Sequence, residues 1–126
     1  MMSMKALFSL TLEKHEDGMV EALIRVDPAA EIYGGHFPTF PLTPGVCQVH
    51  MIRASLEEAL GRPLRLSVAR SIKFTHMHEP GLTSLLRSRV SYREEEGSIH
   101  ADGSVFMDET IFLKFKGSFV ERQEGI

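Results

Sequence analysis

The chain has 126 residues, 43% of them hydrophobic and 25% charged, enough to bury one core as a single domain over 1–126 without staples. A formal charge of −3 with both signs interspersed argues against a nucleic-acid partner, which calls for a basic stripe. The lone Cys47 excludes an intrachain disulfide and fits a reducing, cytoplasmic compartment, and no apolar run reaches the roughly 20 residues of a membrane span.

Along the chain, Ala6, Phe8, Leu10 and Leu12 alternate with polar or small neighbours, which predicts a half-buried strand; the charges at Glu13 to Asp17 follow too soon for a signal peptide. Glu16-Asp17-Gly18 is a turn signal, and Val20, Ala22, Ile24 and Val26 complete a hairpin ended by Asp27-Pro28. The next fifteen or so residues are rich in glycine and proline and read as a loop. From Pro44 the period becomes helical. Val49, Ile52, Leu56, Ala59 and Leu60 fall on one stripe, Thr43 is the expected N-cap, Pro44 suits a first helical position, and Gly61 with Pro63 stops the helix.

The remainder reads as strand. Leu66, Val68, Ile72 and Phe74 share a face; Glu79-Pro80-Gly81 turns the chain; Leu82, Leu86, Val90 and Tyr92 begin the next strand. Glu94 to Gly97 form another turn, then Ile99, Ala101, Val105 and Met107 alternate, and Ile111, Leu113 and Phe115 mark the last strand after Asp108-Glu109. Two strands, a loop, one unusually apolar helix and four antiparallel strands predict an α+β fold in which a curved sheet wraps a central helix. Such a sheet leaves edges and apolar surface to cover, so a homodimer or higher oligomer is expected.

Chemistry concentrates in Tyr33-Gly34-Gly35-His36-Phe37-Pro38-Thr39 and the Pro41-Leu42-Thr43-Pro44-Gly45-Val46 that follows. It sets a histidine on a glycine-permitted loop just before the unpaired amides of a helix start. A proton acceptor beside such amides suits chemistry next to a carbonyl, with His36 as base and Gly45 or Val46 N–H as carbonyl polariser. Other candidates carry less. Cys47 lacks the neighbours of a cysteine nucleophile and reads as a packed thiol. His76 and His78 share a strand face but have no third metal ligand, so they read as strand-end surface histidines. Arg70, Lys73, Arg87 and Arg89 read as a solvated face that could receive an acidic partner.

The order of elements and the run Tyr33-x-Gly35-His36-Phe37-Pro38-x-x-Pro41-Leu42-x-Pro44-Gly45-Val46, with Lys73-Phe74 and Pro80-Gly81 downstream, resemble the hotdog-fold 3-hydroxyacyl-(acyl-carrier-protein) dehydratases of bacterial type II fatty acid synthesis. The resemblance covers nearly the whole chain. It implies loss of water from a 3-hydroxyacyl thioester, carried on acyl-carrier protein or coenzyme A, to give a trans-2-enoyl thioester with no metal or other cofactor. It also implies that His36 of one subunit works with an acid on the other subunit's helix. That acid's position, five residues after Gly45, holds His50, and the glutamine that follows it in the family is Ala54. His50 as an imidazolium would stand in for the acid. Phe37, Phe40, Met51 and Phe74 would line an acyl tunnel or the core. The alternatives are a hotdog acyl thioesterase and a catalytically impaired subunit that binds acyl thioesters.

Overall fold

The computed structural model describes residues 7–29 and 42–123. Their elements are β1 (Phe8–Glu16), β2 (Met19–Val26), α1 (Gly45–Leu60), β3 (Leu64–Phe74), β4 (Leu85–Glu95), β5 (Ser98–Met107) and β6 (Thr110–Glu121). All six strands form one sheet in the order β1-β2-β4-β5-β6-β3, and every pairing is antiparallel. The sheet packs around α1, as expected of the hotdog fold.

The tight hairpins follow from residues that tolerate left-handed backbone. Asp17 and Gly18 (φ 50° and 72°) pair Glu16 with Met19, and Glu96 and Gly97 (φ 52° and 83°) pair Glu95 with Ser98. Alternation then sorts the side chains. Val20, Ala22, Ile24 and Val26 of β2 are buried as expected, and Leu86, Ser88 and Val90 of β4 face the same core.

Helix α1 lies inside the sheet rather than on it. Its buried residues are Cys47, Gln48, Met51, Ile52, Ser55 and Leu56, so the face is rotated about one residue from the stripe expected through Val49 and Ile52. Val49, Ala59 and Leu60 pack at its margin. Two polar residues therefore sit on the buried face. Ser55 is satisfied: its hydroxyl donates to the Met51 carbonyl at 2.8 Å and meets Ser88 Oγ at 2.7 Å. The helix ends where expected, with Gly61 left-handed (φ 67°) and donating to the Glu57 carbonyl at 2.8 Å. Glu57 also accepts from Leu64 N–H at 2.7 Å, fastening the helix end to the start of β3.

Strand β3 forms one edge. Leu66, Ile72 and Phe74 pair with Phe119, Phe115 and Leu113 of β6, which places them on the helix side of the sheet. The helix does not reach that far, and all three remain exposed while their β6 partners are buried. One expected boundary moves: Leu82 is outside β4 and exposed, because its N–H turns back to the Glu79 carbonyl at 3.1 Å.

The β3–β6 approach depends on Gly117, where a Cβ would come within 2.4 Å of the Val68 carbonyl oxygen and 2.7 Å of Phe115 Cζ. Gly117→Ala is expected to lower unfolding free energy by about 1–3 kcal/mol in a denaturant titration, through overpacking against backbone. An unchanged midpoint would contradict that approach.

Candidate functional site

Carbonyl chemistry needs donors that the fold has not already used, and the start of α1 supplies them. Pro44 holds the N-cap position in an extended conformation (φ −59°, ψ 145°) and offers no capping side chain. Its carbonyl accepts from Cys47 N–H at 3.0 Å and Gln48 N–H at 3.4 Å, so Gly45 and Val46 N–H stand outside the helix ladder. No acidic residue occupies the first turn, and the positive end of the helix is uncompensated there.

Thr43, expected as the N-cap, serves a different purpose. Its N–H donates to the His78 carbonyl at 2.9 Å, and its hydroxyl lies 2.5 Å from His78 Nδ1. His78 Nε2 lies 2.7 Å from the Thr83 carbonyl. A ring nitrogen facing a carbonyl must carry the hydrogen, so His78 is the Nε2–H tautomer and Nδ1 accepts from Thr43. This corrects the surface reading of His78: it is 1% exposed, packed edge-on to Phe112 with centroids 5.2 Å apart. Burial pushes its pKa down from 6.5, with the Thr83 carbonyl pulling weakly the other way.

Between the helix start and the segment after β3 lies a cleft of about 620 Å³, lined in part by Gly45, Val46, Gln48, Phe74, His76 and Met77. Gly45 is required by close approach, since a Cβ there would fall 2.5 Å from Phe74 Cζ. Val46, Phe74 and Met77 form an apolar rim, 68%, 52% and 78% exposed. His76 is exposed and lies 3.0 Å from the Ile111 carbonyl through Nδ1, which assigns the hydrogen to Nδ1 and leaves Nε2 as an acceptor. Gln48 is the member of this wall that sequence reasoning missed. Its spacing from Ile52 and Ser55 (four and seven residues) was the available signal.

His50 does not line this cleft. It lies in a second one of about 500 Å³ with Phe8, Leu10, Glu57, Arg62 and Arg122 among its walls. Arg53 Nη2 donates to His50 Nδ1 at 2.5 Å, so the ring hydrogen is on Nε2, and Phe8 meets the ring edge-on at 5.6 Å. Burial, then the Arg53 guanidinium, push the His50 pKa down, against an upward pull from Glu57. A neutral N–H donor replaces the expected imidazolium. Met51 is fully enclosed in the core, leaving Phe74 as the described aromatic beside the helix start. Burial raises the pKa of Cys47, consistent with a packed thiol. His36, Phe37 and Phe40 lie outside the described residues. Among the described residues no group of three His, Cys, Asp or Glu could hold a metal, and no helix is long and apolar enough to cross a membrane.

A family model described as ApeI dehydratase matches residues 12–107. The chain belongs to the ApeI-like dehydratase family. The matched span runs from within β1 to the end of β5, so it includes the whole lining of the cleft at the helix start and His50, but not Phe8, Leu10 or Arg122 of the second cleft. The fold of this ApeI-like chain is similar to that of the dehydratase heterocomplex ApeI:P from Xenorhabdus doucetiae, with a TM-score of 0.72 at 10% identity over 90% of this chain and 81% of that one. It is similar also to an uncharacterized protein from Erwinia carotovora subsp. atroseptica, with a TM-score of 0.62 at 22% identity over 91% and 95%. A Bacillus halodurans protein solved with CoA matches with a TM-score of 0.57 at 15% identity over 90% and 74%. No curated protein matches the chain. Membership in the ApeI-like family points to dehydratase activity of the lyase class.

The two lowered histidine pKa values make stability depend on pH. Each folded-state value is depressed, so the contribution is complete above the unfolded value of 6.5 and is lost as pH falls through it toward the folded value. Urea midpoints are expected to drop steadily below about pH 6.5, with a shallower drop in His78→Gln. Identical acid slopes in wild type and variant would contradict the buried neutral state of His78.

Proposed function

We propose that this dehydratase-family chain converts 3-hydroxyacyl thioesters to trans-2-enoyl thioesters. The observation that carries this reading is the pair of amides at Gly45 and Val46, without a hydrogen-bond acceptor among the described residues and set in a cleft walled by Phe74. A thioester carbonyl oxygen seated on them gains most as negative charge develops on it, when the C2–H bond breaks. His36 takes that proton, the C2–C3 double bond forms, and the C3–O bond breaks. The departing hydroxyl is hydrogen-bonded by His50 Nε2–H of the other subunit, takes up the proton now held on His36, and leaves as water.

Family membership supports elimination, and the structural neighbour solved with CoA supports a thioester. A dimer is supported by the edge strand β3, whose Leu66, Ile72 and Phe74 extend the apolar face past the helix. A homodimer with two sites is the arrangement proposed. Either acyl-carrier protein or coenzyme A would present the acyl chain. For an acidic carrier the supporting feature is the outer sheet face at Arg70, Lys73 and Lys114. Arg87 and Arg89 are already paired with Glu13 and Glu21.

A second reading is a subunit that binds acyl thioesters without turning them over. It is favoured by one observation: His50 is tied to Arg53 in a cleft apart from Gly45 and Val46.

Incubation of the protein with 3-hydroxyacyl-CoA and 3-hydroxyacyl-carrier substrates from short to long chains is expected to yield the enoyl thioester without release of free thiol. His36→Ala should lower kcat by about 10²- to 10⁴-fold. No enoyl product at any length would sink the dehydratase reading. His50→Glu separates the two readings: lower turnover identifies His50 as the working donor, whereas a large gain identifies the natural chain as a binder.

A further inference from the structure

Among the described residues two buried side-chain atoms lack a hydrogen-bond partner, Gln48 Oε1 and Arg53 Nε, and of the two residues it is Gln48 that lines the cleft at the helix start. It is 3% exposed, on the buried face of α1, and its Oε1 has no hydrogen-bond partner among the described residues. Its Nε2 faces the Thr43 carbonyl at 3.5 Å, which assigns the nitrogen to that side and leaves the oxygen as the end that is enclosed and without a partner. Ser55, the other polar residue of this face, has both its bonds. Buried acceptors are ordinarily satisfied, and an orphan in a cleft is a position where a ligand donor would be rewarded.

Its location narrows the ligand. Gln48 lines the same cleft as Gly45 and Val46, and three residues along a helix bring it to the side on which Gly45 lies. The cleft thus presents two donors at the helix start and one acceptor a turn deeper. A complementary molecule carries a carbonyl oxygen and, a short distance away, an O–H or N–H. A 3-hydroxyacyl thioester has this pattern, with its hydroxyl two carbons from the carbonyl. The enoyl and saturated acyl thioesters lack it.

We propose that Gln48 Oε1 accepts the hydrogen bond of the substrate's 3-hydroxyl, making it the residue that separates 3-hydroxyacyl thioesters from their dehydrated and saturated counterparts. This rests on the dehydratase reading above. The hydroxyl is held by Gln48 while C2 is deprotonated, and after elimination the acceptor is again unpaired, which favours product release.

The test compares kcat/KM for 3-hydroxyhexanoyl-CoA with the inhibition constant of hexanoyl-CoA, in wild type and in Gln48→Met, which keeps the volume and removes the acceptor. In Gln48→Met, kcat/KM is expected to fall about 10- to 100-fold, mainly through KM, with hexanoyl-CoA inhibition unchanged within about twofold. The melting temperature should hold or rise, since a buried orphan has been removed. Gln48→Asn, one methylene shorter, is expected to fall between the two and covers the case of a poorly folded Met variant. Unaltered kcat/KM, or equal weakening of both ligands, would overturn the role given to Gln48; the second result would assign it to the pantetheine amides that both share. A wild type that turns over no 3-hydroxyacyl thioester would overturn the dehydratase reading and this role together.

Discussion

The position of the helix start rests on one fastening. Thr43 and His78 exchange a backbone and a side-chain hydrogen bond, and His78 is itself held by the Thr83 carbonyl. These three bonds join the residue before the helix to the connection between β3 and β4, thirty-five positions away in sequence. They help to fix the first turn of α1 relative to the end of β3. With them, Phe74 lies over Gly45 closely enough that no side chain fits between. The bonds are buried, so they work in a medium where each is strong and each unmade one is expensive.

The same constraint explains the chemical character of the cleft. A threonine at the N-cap would ordinarily turn its hydroxyl onto the first amides of the helix, but Thr43 lies one residue before the cap. Here that hydroxyl is committed to His78, and the next residue is a proline with nothing to offer. Among the described residues the first amides have no acceptor. The cleft also carries an apolar rim at Val46, Phe74 and Met77. Local structure, packing and reactivity are in this way three consequences of where one hydroxyl points.

Much of this was legible in the residues alone. The β1–β2 hairpin, the stop of α1 at Gly61, and the alternation along β2, β4, β5 and β6 follow from turn chemistry and periodicity, which act over a few neighbours, whereas α1 starts one residue later than expected because Pro44 and not Thr43 holds the N-cap. Leu82 was misplaced because its hydrophobicity matched a strand while its backbone was captured by Glu79. His78 was misjudged because burial of a histidine depends on what tertiary structure brings to both ring nitrogens, and Thr43 and Thr83 are invisible to local pattern. The helix face was off by one residue because apolar content alone drew the stripe, whereas the sheet buries Gln48 and Ser55 as well. The motif from Tyr33 to Val46 carried the family-level reading. The finer expectation of an imidazolium at His50 rested on local sequence alone, which does not show that Arg53 one turn along makes its Nδ1 an acceptor and leaves the ring hydrogen on Nε2.

An unsatisfied end of a helix and an unsatisfied amide oxygen are both thermodynamic debts, and α1 carries them side by side. A capping residue in place of Pro44, or a methionine or leucine for Gln48, would each relieve about a kilocalorie per mole or more by ordinary measures. Mutational searches that reward heat resistance alone would therefore converge on this region first and fill it in. Tolerance of such changes, mapped along the helix, would separate residues kept for endurance from residues kept for turnover.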